Sequence, residues 1–229
     1  MNKVFFDLEW NTGFLDGNSF DEIIEIGAVK TDEEYRQIDG FRRLIRPVIY
    51  RKMNPYIQKI LAITMKDLQG EEPLAAVAKA FFDWCGDCDT LIAWSGNDFG
   101  VLEKNLAHIG MKIPEQLGRY DVQMAYAYRT ENSIRNYALK TAVEAMELPE
   151  PEGQEYHDAY CDAQFTAAIG RALTERYGPL PAVEELQALK NTLPALANEF
   201  IVLLKETSVA CYVAVNDLTR GGEIIRGAT

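Results

Sequence analysis

The sequence predicts an α/β fold in which a mixed β-sheet is flanked by α-helices, and three observations support this. Three short apolar runs, separated by polar turns, occupy the N-terminal 45 residues. Short apolar strands and helical spacing then alternate between residues 73 and 177. The composition is that of a globular protein, with 48 % hydrophobic and 25 % charged residues in a chain of 229. This length suits one large domain, or one domain with an appendage.

The three N-terminal runs predict an antiparallel meander. Residues 4–9 alternate between apolar and polar side chains, which is the period of a strand. Runs at 23–29 and 41–45 are also short enough to be strands. We expect polar turns between them, containing Gly13, Gly17 and Asp39.

The rest of the chain predicts strand and helix alternation, followed by an extension. The expected order is a helix from Pro73 to Gly86, a strand at 90–94, a helix at 99–110, a short strand at 117–122, and helices at 137–148 and 159–177. Gly178, Pro179 and Pro181 then indicate a boundary. We therefore expect a domain at 1–177 and a C-terminal extension at 178–229. Helical patterns at 183–189 and 196–204 and an alternating run at 209–215 predict a helical and β extension, to which the sequence assigns no role.

The charge distribution limits the kinds of partner. The formal net charge is −12, which disfavours a protein that wraps long duplex nucleic acid. Locally the balance reverses, because seven Lys or Arg residues lie between Tyr35 and Lys59 against one acid, Asp39. This basic run is either a strand-binding surface or a solvated strand and loop.

The sequence favours a cytoplasmic protein with reduced thiols. Charges within the first ten residues interrupt any signal-peptide core, and no apolar stretch reaches the length of a membrane span. Four cysteines are too few for a disulfide framework in a chain of this size. The segment 84–88 reads WCGDC and is close to a redox motif, but Cys85 ends a predicted helix, where the helix dipole disfavours the thiolate. No second ligand pair for a zinc site is present.

Two carboxylates on the first strand suggest a cation site. Asp7 and Glu9 are two residues apart, so both leave the same face of the strand. Their repulsion and desolvation would be relieved by a cation, and oxygen ligands suit Mg²⁺ or Mn²⁺. The alternative is that the strand ends here and both acids are solvated.

Three further residues could join this site. Asp98 follows the strand at 90–94, at the end where open α/β sheets bind ligands, although it could simply be a helix N-cap. Asp162 lies one turn inside the last predicted helix of the domain, and His157 precedes it by five residues. On one helix these two would diverge by roughly 140°, so His157 must lie in the preceding loop, with Asp158 as the N-cap. A loop histidine can take a proton from water near neutral pH. The other histidine, His108, is more typical of a surface or helix C-terminal position.

In the order and spacing of these residues the chain resembles the DEDD-type 3′-to-5′ exonucleases of the histidine subtype (DEDDh). This superfamily includes the proofreading subunit of bacterial replicative polymerase, ribonuclease T and the exonucleases that trim histone mRNA. The motifs are D-x-E at Asp7 and Glu9, the lone Asp98, and H-x-x-x-x-D at His157 and Asp162. Three supporting segments are EIIEIGAVK at 22–30, AITMKDL at 62–68 and NYALKTAVEAMEL at 136–148. The resemblance covers residues 2–177.

The resemblance implies a ribonuclease-H-like fold and a two-metal hydrolysis of single-stranded RNA or DNA. Asp7, Glu9, Asp98 and Asp162 would hold two Mg²⁺ or Mn²⁺ ions, His157 would deprotonate the attacking water, and nucleoside 5′-monophosphates would leave from the 3′ end.

Trp10 and Asn11 stand where many relatives have a threonine after the first motif. Asn11 could replace a polar contact to the terminal nucleotide. Trp10 could stack on a base or could be a core aromatic.

Two other functions remain open, a nuclease-fold regulator that binds a protein without cutting and a proofreading module attached to a polymerase. The presence of all five acid and base residues favours an enzyme.

Overall fold

The computed structural model describes residues 2–61, 63–149, 156–192 and 195–205. The chain divides into two compact units, Met1–Pro181 and Ala182–Thr229. The second unit contains helices at 183–192 and 195–205. The strand expected at 209–215 lies outside the described residues. No helix in the described parts of the chain is long and apolar enough to cross a membrane.

The first unit is a five-stranded sheet with helices on its faces. Its elements, in chain order, are β1 (Lys3–Leu15), β2 (Asn18–Thr31), β3 (Gln37–Leu44), α1 (Ile57–Ile60), α2 (Met65–Leu68), α3 (Leu74–Cys85), β4 (Thr90–Ala93), α4 (Gly96–His108), β5 (Gly118–Asp121), α5 (Val122–Glu131), α6 (Leu139–Ala145) and α7 (Ala159–Tyr177). The strand order is β3-β2-β1-β4-β5. β2 pairs antiparallel with both β1 and β3, whereas β4 pairs parallel with both β1 and β5. The predicted mixed α/β sheet and its N-terminal meander are confirmed.

The first hairpin is longer than the sequence pattern predicted. β1 continues to Leu15, and the chain turns at Asp16 and Gly17, which have φ values of 50° and 81°. Positive φ at both central residues is the geometry of a tight two-residue hairpin turn. Gly13 therefore lies inside β1 and Asp39 inside β3, not in turns. A Cβ at Gly13 would lie 2.6 Å from the ring of Tyr50, so the glycine makes room for that ring.

The two faces of β1 have different roles. Val4, Phe6 and Leu8 point into the main core, where they pack against residues of α3 and α4. The ring of Phe6 lies 6.2 Å from that of Phe81 and 5.2 Å from that of Phe99. The opposite face carries the carboxylates and is covered by α7. This division follows from the alternation of side chains along a strand.

The helix α7 approaches the sheet at a glycine. A Cβ on Gly27 would lie 2.1 Å from the backbone nitrogen of Tyr160 and 2.2 Å from the carbonyl carbon of Ala159. Gly27 pairs with Asp7 in the sheet. The absence of a side chain at Gly27 therefore lets the first turn of α7 lie directly beside the carboxylate-bearing part of β1.

Several elements differ from the sequence prediction. Three helices, α1, α2 and α5, were not expected. The helices α1 and α2 are single turns, too short to show a helical period. The buried residues of α5, which include Gln123 and the small Ala125 and Ala127, form no continuous apolar stripe. The helix expected at 137–148 is shorter, because Ala138 is extended.

Cys85 and His108 lie at the helix ends that the sequence predicted for them. Cys85 is the last residue of α3, is free and is 1 % exposed, and burial raises the pKa of its thiol to about 12. Cys88 is also free, and burial raises the pKa of its thiol. His108 is the exposed last residue of α4 and contacts the ring of Phe20.

Candidate active site

The strand β1 supplies the first two carboxylates. Asp7 pairs with Gly27 and Glu9 with Glu25 on β2, and the register shifts immediately after Glu9. Glu9 is 9 % exposed and Glu25 is completely buried. A bulge at this point increases the local twist of the hairpin, and it lies where the strand passes from the core to the site.

The first turn of α4 supplies the third carboxylate. Ser95, and not Asp98, is the N-cap, because its hydroxyl accepts a hydrogen bond from the backbone N–H of Asn97. The N-cap alternative for Asp98 is therefore wrong. Asp98 is the third residue of the helix, is 5 % exposed, and its Oδ2 accepts a hydrogen bond of 3.2 Å from the Ser95 hydroxyl. Asp121 supports the same turn, since it accepts a 2.9 Å hydrogen bond from the Gly96 N–H.

The start of α7 supplies the fourth carboxylate and the histidine. Asp158 is the N-cap, as predicted, and accepts a hydrogen bond from the backbone of Cys161. His157 lies before the helix with a φ of 69°, a left-handed conformation that few non-glycine residues adopt. Its backbone N–H donates to Oδ2 of Asp162 at 3.2 Å. This loop conformation brings together two residues that a continuous helix would separate.

All five predicted acid and base residues line one groove. We call it the active-site groove, and it has a volume of about 310 Å³. Glu9, His157 and Asp162 each place one potential ligand atom within 4.8 Å of the others. The other residues that line the groove come from separate parts of the chain: Asp7, Leu8, Trp10, Ile57, Ile60, Leu61, Trp94, Ser95, Asp98 and Leu139.

Burial and mutual repulsion raise the pKa values of these carboxyl groups. Burial, reinforced by the charge of Asp162, raises the pKa of Glu9 to about 8. Burial raises the pKa of Asp162 to about 7 and that of Asp98 to about 6, the latter against the opposing hydrogen bond from Ser95. The pKa of Asp7 lies well above its ordinary value, first through burial and then through the charge of Asp98. A cation between these groups would favour their ionised form.

The donor set fits a divalent cation. The ligands are carboxylate oxygens, which Mg²⁺ and Mn²⁺ prefer. Oδ1 of Asp162 is buried and accepts no hydrogen bond from any described residue. A buried carboxylate oxygen without a donor is stabilised by a metal ion. Glu9, Asp162, Asp98 and Asp7 are therefore the residues that would hold it.

The raised pKa values also make the cation-free fold sensitive to pH. In the unfolded chain these carboxyl groups ionise near pH 4, whereas in the fold Glu9 and Asp162 keep their protons to about pH 8 and 7. The folded state therefore binds more protons between those limits. Its stability falls as the pH rises through this window, and a cation would oppose the fall.

The two predicted substrate-contacting residues have different environments. Asn11 is 1 % exposed; its amide nitrogen donates to the Lys52 carbonyl at 3.0 Å, and its oxygen accepts from the Asn54 N–H at 2.8 Å. Its polar atoms are thus used inside the protein, and Asn11 is not among the residues that line the groove. Trp10 packs partly against the core and also lines the groove, so both of its alternatives are compatible with its position.

Sequence reasoning missed Arg42, which links three parts of the site. Its guanidinium donates to Oε1 of Glu25 at 2.8 Å and also binds the carboxylate of Asp158. Asp158 follows His157 directly, so Arg42 connects strands β2 and β3 to the histidine loop. The only sequence signal for Arg42 was its membership of the basic run.

The family comparison agrees with this geometry. A family model described as Exonuclease (RNase_T) matches residues 4–169. The chain is 29 % identical over 169 residues to a PolC-type DNA polymerase III from Clostridium perfringens, a match that covers 72 % of this chain and 11 % of that protein. The chain thus spans about a tenth of the length of this polymerase.

Solved exonuclease structures share the fold. The nuclease domain of 3′hExo, a DEDDh family member bound to rAMP, superposes with a TM-score of 0.67 at 17 % identity, covering 79 % of this chain and 94 % of that one. Exonuclease I from E. coli in complex with an oligonucleotide superposes with a TM-score of 0.60 at 19 % identity, covering 77 % of this chain and 41 % of that one. With the family match, the ribonuclease-H-like sheet and the converging acids and histidine, the chain belongs to the exonuclease family and has the DEDDh fold.

Proposed function

We propose that this chain is a metal-dependent 3′-to-5′ exonuclease that hydrolyses single-stranded RNA or DNA and releases nucleoside 5′-monophosphates. The observation that carries the proposal is the convergence of four carboxylates and His157 in the active-site groove. A protein that only binds a partner has no physical reason to hold four mutually repelling carboxyl groups in one place.

Each residue has a defined part in this proposal. Asp7, Glu9, Asp98 and Asp162 would hold two Mg²⁺ or Mn²⁺ ions, which supply Lewis-acid stabilisation of the charge that develops on phosphate oxygens. His157 is exposed and lies within 4.8 Å of ligand atoms of Glu9 and Asp162, so it can accept a proton from a water held at the carboxylates.

The apolar walls of the groove support a nucleotide substrate. Trp10, Ile57, Ile60 and Leu61 offer surface for a base or sugar beside the acidic floor. One relative of the same fold is in complex with single-stranded DNA, another is bound to rAMP, and a third recognises a histone mRNA stem-loop. These ligands support the proposed substrate class, and both RNA and DNA have to be tested.

The experiment is a cleavage assay with 5′-labelled oligonucleotides of RNA and DNA. We expect shortening from the 3′ end with Mg²⁺ or Mn²⁺, no reaction in EDTA, and loss of activity in Asp162→Ala and His157→Ala. A matched control is Asp89→Ala, which removes an acid outside the groove. Intact RNA and DNA with the unmutated chain under both metals would rule the proposal out.

Similarity to a PolC-type polymerase favours one second candidate, a proofreading module that acts beside a polymerase. In that case residues 178–229 are the candidate docking element, and the nuclease domain is residues 1–177. A primer–template with a mismatched 3′ end distinguishes the two functions. Preferential removal of the mismatched nucleotide supports proofreading, and equal removal of matched and mismatched ends supports a general exonuclease.

A further inference from the structure

The basic run of the sequence contains some residues that form ion pairs and one segment whose cations form none with described residues. Arg36 pairs with Asp32 and Glu34, and Arg42 pairs with Glu25 and Asp158. The segment 46–59, which we call the basic loop, behaves differently. It contains no acid and four cations, which are Arg46, Arg51, Lys52 and Lys59. None of these cations forms an ion pair with a described residue.

Buried polar side chains hold the basic loop against the first hairpin. Glu22 is 4 % exposed and accepts hydrogen bonds from three successive backbone N–H groups, at 48, 49 and 50, over 2.6 to 2.8 Å. Asn11, which pairs with Glu22 in the sheet, binds the backbone at Lys52 and Asn54. The cations are therefore presented on a fixed backbone, which reduces the entropy lost when they bind a ligand.

The loop also borders the active-site groove. The Lys52 carbonyl accepts a hydrogen bond from the side chain of Asn11. Asn11 directly follows Trp10, which lines the groove. At its other end, Ile57 and Ile60 line the groove, and the helix that carries them, α1, also carries the exposed Lys59. Tyr56 directly precedes this helix and is 69 % exposed.

The groove and the overall charge restrict the path of a bound strand. A groove of about 310 Å³ is at the small end for a ligand site, so it suits the terminal unit of a strand and not several nucleotides. The remaining nucleotides have to cross the rim. The net charge of −12 means that the chain as a whole repels phosphates. At physiological salt, a phosphate interacts strongly only with charges that lie within about 8 Å of it.

We propose that a single-stranded nucleic acid leaves the active-site groove across the basic loop. Arg51, Lys52 and Lys59 neutralise backbone phosphates of the upstream nucleotides, and Tyr56 offers a ring on which a base can stack. The proposal rests on the exonuclease function proposed above and names the surface that would hold the body of its substrate.

The first test measures binding of 12-nucleotide RNA and DNA strands in an Asp162→Asn background, so that cleavage does not interfere. The test variant is Arg51→Gln with Lys52→Gln. Each lost phosphate contact lowers the slope of log affinity against log salt by about 0.7 for single strands. When salt rises from 50 to 200 mM, the Asp162→Asn protein with an unchanged basic loop should therefore lose roughly 7-fold more affinity than the same protein with the double substitution.

Controls separate this surface from general charge effects. The variant Lys79→Gln with Lys112→Gln makes the same change in net charge at exposed residues of other surfaces, and it should keep the wild-type salt slope. Tyr56→Leu should lower affinity by roughly 5-fold or more with little change in slope. If the loop variant keeps the wild-type slope and affinity on both strands, the proposed path is wrong.

A kinetic arm separates this inference from the proposed function. With Mg²⁺, the loop variant should lose more kcat/KM on a 12-nucleotide strand than on a dinucleotide, since a dinucleotide reaches less of the basic loop. Equal losses on both substrates would contradict the path. If the wild-type chain cleaves neither substrate, the exonuclease proposal fails, while the salt slopes still decide whether the basic loop binds the strand.

Discussion

Replacing Gly27 by alanine tests whether the close approach of α7 to the sheet positions the active site. The added Cβ would lie 2.1 Å from the Tyr160 nitrogen and 2.2 Å from the Ala159 carbonyl carbon, both of them backbone atoms. Real Cβ atoms almost never come within 3.0 Å of such neighbours, so the first turn of α7 must move by roughly 1 Å. That turn carries Asp162 and is preceded by His157.

The magnitude follows from overpacking and from misplacement of the site. Overpacking of this kind lowers stability by about 1–3 kcal/mol. A shift of about 1 Å in a catalytic group lowers activity by about 100-fold. We therefore expect Gly27→Ala to fold, to unfold at lower urea concentration than the wild-type chain, and to lose activity by about 100-fold.

The assay combines urea unfolding with cleavage of a labelled oligonucleotide under Mg²⁺. Two alanine variants serve as controls. At Gly40 the new Cβ would meet the side chain of Tyr160, which can rotate away, so the effect should be small. At Gly100, inside α4, nothing lies within 4 Å, and alanine should add about 0.4–1 kcal/mol of stability. Wild-type cleavage and wild-type stability in Gly27→Ala would refute the reasoning.

Three further predictions concern charge and hydrogen bonding around the site. In EDTA, stability should fall between pH 5 and pH 8, because the pKa values of Glu9 (about 8) and Asp162 (about 7) lie above those of the unfolded chain. Thermal unfolding should show that Mg²⁺ raises Tm more at pH 8 than at pH 6, and a constant increase would contradict the linkage. Arg42→Ala should lower stability by about 1–3 kcal/mol, since buried Glu25 loses its partner, and should lower kcat more than Arg42→Lys does. Asn11→Ala should destabilise the fold by about 1–3 kcal/mol in urea titrations, because the Lys52 carbonyl and the Asn54 N–H lose the side chain that binds them. An unchanged midpoint would mean that water replaces the amide.

The parts of the site that sequence reasoning predicted are those governed by local geometry. The two-residue spacing of Asp7 and Glu9 determines that they share a strand face, and this requires no knowledge of the remaining fold. The five-residue spacing of His157 and Asp162 excludes one continuous helix between them. The position of Asp98 after a strand places it at the ligand-binding end of the sheet.

The parts that sequence reasoning missed depend on contacts between distant segments. Asn11 was a candidate for a substrate contact because it stands where many relatives have a threonine, but its hydrogen-bond partners lie about 40 residues away on the basic loop. Arg42 contacts Asp158 across 116 positions of sequence. The helix α5 was missed because no apolar stripe marks it. Such features are fixed by tertiary packing, which local periodicity does not encode.

The placement of the carboxylates on β1, α4 and α7 has a consequence for the nascent chain. Asp7 emerges from the ribosome before Asp162, which follows roughly 150 residues later. The contacts that bring β1, α4 and α7 together are long-range, so the complete site forms only when α7 docks on the sheet. Fragments ending before that helix, whether from stalled translation or from proteolysis, would therefore lack an assembled cleavage centre. The cleavage centre is in this way absent until α7 has been synthesised and has docked.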